Sequence, residues 1–157
     1  LIHLVTTFTY ELLQLAGRSV SFNDVTDNLT NGHAQNHFEA MVEKQGGQLC
    51  QLPGLHWTPL IATEEGFIKS INTGALGALL VRMGGGRQLP DDTIDSNVAI
   101  AVAKKVGDQI AKGDVLGAIS HPSPKSYLTQ LQNAIHLSNH PVEPRPLIMG
   151  TISQTPT

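Results

Sequence analysis

Val102-Ala103-Lys104-Lys105-Val106-Gly107-Asp108-Gln109-Ile110-Ala111-Lys112-Gly113-Asp114-Val115-Leu116 carries the pattern Lys-Val-Gly-Asp-x-Ile-x-x-Gly-x-x-Leu. Gly107-Asp108 and Gly113-Asp114 are turn-forming pairs set between short apolar runs, so the stretch reads as strand, tight turn, strand, second turn and strand. Its first strand reaches back through the β-capable run Val98-Ala99-Ile100-Ala101-Val102-Ala103, and its last continues as a short strand over residues 116–120. Ser123-Pro124 then offers an N-cap with proline at the first helical position, opening a helix with Leu128, Leu131 and Ile135 on one side. Residues 140–146 are Pro-rich and read as extended, ahead of a last apolar segment at 147–152 and a frayed end at 153–157.

Toward the N-terminus the texture stays mixed as far as Pro53. Pro53, Gly54, Pro59 and Gly66 punctuate the chain, with strand-length runs at Leu60-Ile61-Ala62 and at residues 66–71. A helix over 75–83 buries Leu76, Leu79, Leu80 and Met83 and stops at Gly84-Gly85-Gly86. Before residue 47 the pattern is helical. Leu4, Val5, Phe8, Leu12 and Leu15 recur at spacings of three and four ahead of Gly17. A second helix fits residues 31–45, with Ala34, Phe38, Met41 and Val42 on one stripe and Gly46-Gly47 as its stop. Val25 and Leu29 indicate a short helical segment after Asp24. A boundary falls near residues 47–58.

The 157 residues suit one ordinary domain or two small ones. With 13 acidic and 10 basic side chains the net charge is −3, which offers no strong positive field for nucleic acid or anionic lipid. Hydrophobic residues make up 40 %, and no apolar run approaches the ~20 residues that span a bilayer, so a soluble, folded chain is expected. Cys50 is the single cysteine and cannot form an internal disulfide, which points to a reducing cytoplasm. The chain opens Leu1-Ile2-His3 without Met and already within an amphipathic pattern, the expectation being a piece of something longer.

Each chemical motif has a bland competitor that outweighs it. His33 and His37, at i and i+4, share a helix face and could grip one ion. Ala34 stands where a zincin would place its glutamate, and no third ligand follows. Gly84-Gly85-Gly86-Arg87 could cradle an anion, but the glycines end a helix rather than open one. Asp91-Asp92 and Asp95 read as a solvated turn with a capping aspartate. Asn28-Leu29-Thr30 is a glycosylation sequon of no weight here, Cys50 with His56 six residues on reads as an inert thiol, and no Gly-x-Ser-x-Gly elbow is present.

Two families share the central pattern. Biotinyl and lipoyl carrier domains use it in a hammerhead barrel, but they need a modifiable lysine in a hairpin, and neither Lys69 nor Lys125 has such a setting. The sequence more closely resembles the C-terminal part of pyrimidine-nucleoside phosphorylases, the group that includes thymidine phosphorylase. The matching runs are Glu11-Leu12-Leu13-Gln14-Leu15-Ala16-Gly17, Phe38-Glu39-Ala40-Met41-Val42-Glu43-Lys44-Gln45-Gly46-Gly47, Gly66-Phe67-Ile68 and Ala75-Leu76-Gly77. Met83-Gly84-Gly85-Gly86-Arg87, Asp92-Thr93-Ile94-Asp95, the Lys105–Leu116 hairpin and Pro146-Leu147-Ile148 follow in order. Met83 and Gly85 vary the usual Leu-Gly-Ala-Gly-Arg form, and Ala99 replaces a frequent glycine.

The resemblance implies an α+β chain: an N-terminal helical segment, the end of an α domain, at 1–47; a linker at 48–57; and a C-terminal α/β hammerhead, barrel-sandwich-like domain at 58–152. It implies reversible phosphorolysis, in which phosphate attacks the anomeric carbon of a pyrimidine nucleoside and releases the base and a pentose 1-phosphate. Such chemistry needs an N–H-rich cationic phosphate cradle and donors for the leaving base. In the family both lie upstream of the matched segment, so carrying residues over yields no catalytic, substrate-binding, cofactor-binding or metal residue and no cofactor. Scaffold and domain closure, with flexing at residues 45–58, are the implied roles. A homodimer in the cytoplasm, acting on phosphate and a pyrimidine nucleoside without nucleic acid or membrane, completes the expectation. The alternative is a free-standing biotinyl- or lipoyl-like carrier or binding module.

Overall fold

The computed structural model describes residues 1–49, 54–150 and 152. Cys50, part of the expected linker and the expected frayed end at 153–157 lie outside the described residues. The chain divides into two compact units, Leu1–Gln51 with Pro146–Thr157, and Leu52–Arg145.

The first unit holds α1 (Ile2–Leu15), α2 (Phe22–Thr30) and α3 (His33–Lys44). Gly17 ends α1 with φ at 69°, while the Arg18 N–H reaches back 2.9 Å to the Leu13 carbonyl. The expected segment after Asp24 starts two residues before it instead, because Ser21 and Asp24 cap reciprocally. The Asp24 N–H donates to Ser21 Oγ at 3.1 Å, and the Ser21 N–H donates to the Asp24 carboxylate at 2.8 Å. That backbone donor, then the Ser21 hydroxyl, holds the Asp24 carboxyl below its ordinary value. Ser21→Ala is expected to cost about 1 kcal/mol, seen as loss of helical ellipticity at lower urea. Glycine also ends α3, where the Gly47 N–H donates to the Val42 carbonyl at 2.9 Å.

The second unit contains β1 (Trp57–Ile61), β2 (Gly66–Ile71), α4 (Thr73–Leu80), β3 (Ala99–Val102), β4 (Gln109–Ile110), β5 (Val115–Ser120), α5 (Lys125–Asn133) and β6 (Ile135–Ser138). A single π turn, Val81–Gly85, extends α4, and Gly84 ends it with φ at 96°. Among the described residues the strands form two three-stranded antiparallel sheets, ordered β1-β5-β3 and β4-β2-β6, and no closed barrel. The fold is thus α+β, as the sequence indicates. Pro59 lacks an N–H and sits in β1, an edge strand, where a ladder donor can be spared. Ile68 of one sheet, Ile119 of the other, Leu79 of α4 and Leu131 of α5 are almost wholly buried in one core.

Two expectations change. Ile135 belongs to β6 rather than to the last helix, since α5 stops at Asn133 and Ile135-His136-Leu137-Ser138 continues extended. The Lys105–Leu116 stretch is not a hairpin: β4 pairs with β2, whereas β3 and β5 pair with each other in the other sheet. The chain crosses from one sheet to the other and returns.

The two Gly-Asp turns make this crossing possible, and they do it in the same way. In the first, the Gly107 N–H donates to the Ile68 carbonyl and the Asp108 carbonyl accepts from the Ile68 N–H, both at 2.9 Å. In the second, Gly113 and Asp114 make the same pair of bonds to Ala62, at 2.9 and 2.8 Å. Each aspartate also accepts an N–H at the start of its own turn, from Lys105 at 2.7 Å and from Ala111 at 3.3 Å. Both glycines have φ near 95°, a conformation a side chain would strain.

Lys104 adds a clasp, its Nζ lying 2.9 Å from Asp114 Oδ2. This bond, then the Ala111 N–H, holds the Asp114 carboxyl below its ordinary 3.8. A depressed folded value means the stabilisation is complete above the unfolded value and is lost as pH falls through the folded one. Urea midpoints are expected to fall as pH drops below 3.8, and Asp114→Asn to flatten that slope; an equally steep slope in the variant removes Asp114 as its source.

Candidate functional site

The segment joining the π turn to β3 contains the residues with the strongest chemical promise, and the structure spends most of them on its own turns. A Cβ on Gly85 would lie 2.6 Å from Leu80 Cδ1, and one on Gly86 2.8 Å from Val81 Cγ2, so these glycines permit close packing. Asp92 accepts from the Gln88 and Leu89 N–H groups at 2.9 and 2.8 Å. Asp95 accepts from both the backbone N–H and the amide of Asn97 at 2.9 Å, and the backbone bond comes first in lowering its carboxyl's pKa. The acidic cluster is therefore divided between separate turns.

Asp95 and Asn97 also line a cleft of about 370 Å³ with His56, Ser120 and His121. Trp57 pairs with Ser120, so the end of the β1–β5 ladder brings the two histidines to one opening. His121 Nδ1 accepts from the Ser123 N–H at 2.8 Å, and its ring meets Tyr127 edge-on at 4.7 Å. That bond occupies the Nδ1 lone pair, so this nitrogen is not open to take a proton from a substrate. The Ser120 hydroxyl donates to the Asn97 carbonyl at 2.8 Å, so its proton is directed to a backbone oxygen rather than to a base. Among the described residues that line the cleft, no hydroxyl or thiol is hydrogen-bonded to a base. Sequence reasoning missed His121; its signal was position, one residue beyond a strand end.

A larger cleft, about 510 Å³, is lined by Glu65, Gln109, Asp114 and Asn139 among others. Its carboxylates make it a poor receptor for phosphate. His33 and His37 lie exposed on α3, and among the described residues no group of three His, Cys, Asp or Glu side chains gathers to hold a metal ion. Lys69 stands within β2 and Lys125 begins α5, neither at a hairpin tip. No described helix is long and apolar enough to cross a membrane.

The helical unit presents a different surface. Among its described side chains only Thr6 and Val25 are buried, while Leu1, Val5, Phe8, Leu12 and Leu15 form an exposed seam. Their spacing alternates four and three, the repeat by which one helix packs along another. Phe38 and Met41 of α3 are exposed as well.

Residues 67–138, from the second residue of β2 to the end of β6, match the family described as the pyrimidine nucleoside phosphorylase C-terminal domain. The chain is similar to a thymidine phosphorylase of Mesorhizobium japonicum, 33 % identical over 126 residues that cover 73 % of this chain and 29 % of the relative. It is 29 % identical over 153 residues to a pyrimidine-nucleoside phosphorylase of Staphylococcus epidermidis, covering 88 % of the chain and 35 % of that protein. A thymidine phosphorylase of Mycobacterium tuberculosis is 27 % identical over 147 residues, covering 90 % and 34 %. The chain spans about a third of the length of these curated relatives.

Proposed function

We propose, for a chain that belongs to the pyrimidine-nucleoside phosphorylase family as its C-terminal portion, that it is the scaffold and closure element of a longer enzyme. That enzyme transfers a pentosyl group from a pyrimidine nucleoside to phosphate, and this portion alone is inactive. Residues 1–47 end its α domain, residues 48–57 form the flexing linker, and residues 58–152 form its C-terminal α/β hammerhead domain. The whole protein acts as a homodimer in the cytoplasm.

The observation that carries this reading is the seam Leu1, Val5, Phe8, Leu12 and Leu15. Leu15 is 84 % and Leu12 66 % exposed, and an apolar stripe of this kind is the face a helix turns toward a helical core.

The test compares this chain with the full-length polypeptide in a thymidine and uridine phosphorolysis assay. Activity confined to the longer protein is expected; activity of the chain alone, or none from either, overturns the reading. Hydrogen exchange of the full-length enzyme with and without phosphate and base checks the linker, where unchanged protection removes the hinge. A covalently attached biotin or lipoate, seen as a mass increment, would replace this reading with the carrier module.

A further inference from the structure

We propose that Asn31-Gly32, the junction between α2 and α3, is a self-modification site at which the chain converts Asn31 to aspartate and isoaspartate. Of the asparagines in the sequence, only Asn31 is followed by glycine; Asn23, Asn28, Asn36, Asn72, Asn97, Asn133 and Asn139 all precede residues with a β-carbon. The structure adds three features that favour reaction.

First, the nucleophile is free. The Asn31 N–H bonds to the Asp27 carbonyl and the Gly32 carbonyl accepts from Asn36, but the Gly32 N–H has no partner among the described residues. Second, there is room. Asn31 is exposed, and a Cβ built on Gly32 would meet nothing within 4 Å, so the backbone can turn toward the side chain without collision. Third, the electrophile is polarised. Asn31 Oδ1 accepts from the His33 N–H at 2.9 Å, a donor in the first turn of α3, where the helix field favours the oxyanion of the addition step and the carboxylate of the product.

The Gly32 nitrogen, losing its proton to solvent base, attacks Asn31 Cγ. The new N–Cγ bond closes a cyclic imide as the Cγ–Nδ2 bond breaks, and the nitrogen leaves as ammonia with a proton taken from water. Water then adds to either imide carbonyl and opens the ring, to aspartate or to isoaspartate. The chain gains one negative charge, and the isoaspartate branch inserts an extra backbone carbon between two helices.

The full chain is incubated at neutral pH and 37 °C and mapped by peptide mass, with isoaspartate counted by enzymatic methylation. Asn31 is expected to convert faster than Asn23, Asn28 and Asn36 by about tenfold or more, the scale on which orientation alters an intramolecular attack. It is also expected to convert at least as fast in the folded chain as in the urea-unfolded one. Gly32→Ala is expected to slow conversion to the rate of the other asparagines, but it also strains a backbone with φ at 88°, so Asn31→Gln, which keeps the glycine and should abolish the signal at this position, is the companion variant. Conversion no faster than at Asn28, or slower than in urea, overturns the proposal.

Discussion

Replacing Gly117 by alanine is expected to destabilise the second unit by about 2–3 kcal/mol, at the upper end of the cost of overpacking a filled site. Gly117 lies in β5, the middle strand of its sheet, facing Leu60 on one side and Val102 on the other. An added Cβ would stand 2.6 Å from the Ala101 carbonyl oxygen. That obstacle is backbone, fixed by the ladder it belongs to, so relief requires β3 to move off β5. Urea denaturation of the chain measures the loss, and faster amide exchange in β3 than in β2 would place it. A cost under about 0.5 kcal/mol, the range of an ordinary surface change, would mean the strands are farther apart than described.

Leu131→Ala is the second large effect, expected to cost about 2–5 kcal/mol as a buried leucine truncated to a cavity. Leu131 is fully buried in the central cluster, against which Tyr127 and Leu128 of α5 also pack. Its Cδ2 would also lie 3.6 Å from the Cβ added at Gly117, an ordinary contact. The two changes are therefore expected to add in the double variant, because removing the leucine does not remove the Ala101 oxygen. Rescue of Gly117→Ala by Leu131→Ala would identify the leucine as the true obstacle, through a coupling of the kind neighbouring residues show.

What the sequence revealed was local. Gly17, Gly46-Gly47 and Gly84 each end a helix where the pattern stops, and Gly107 and Gly113 turn where their aspartates follow. These signals depend on φ and on nearest-neighbour bonds, which a few adjacent residues determine. Partner choice was not legible. Nothing in Gln109-Ile110 states that β4 pairs with Gly66 and Phe67 rather than with β5, because pairing is decided by the fit of distant faces. Ile135 misled for a related reason: a three-and-four spacing carried across a helix end fits both continuations. At the site, Asp92 and Asp95 were correctly read as turn residues, since each binds N–H groups within four residues of itself. That His56 and His121 line one cleft needed the β1–β5 register, which no window of the sequence contains.

The order in which this chain leaves a ribosome conflicts with the order in which its strands can pair. Trp57 waits for Ser120 and Phe67 for Ser138, so β1 and β2 emerge long before their long-ladder partners exist. Pairings of such high sequence separation form slowly, because closing the long loop comes before any bond repays it. During synthesis the apolar faces of Leu60 and Ile68 stay uncovered until β5 and β6 arrive. A chain interrupted after β4 would hold both first strands with their principal partners missing, the state most prone to self-association. The arrival of β5 and then β6 thus governs when the earlier strands become safe from aggregation.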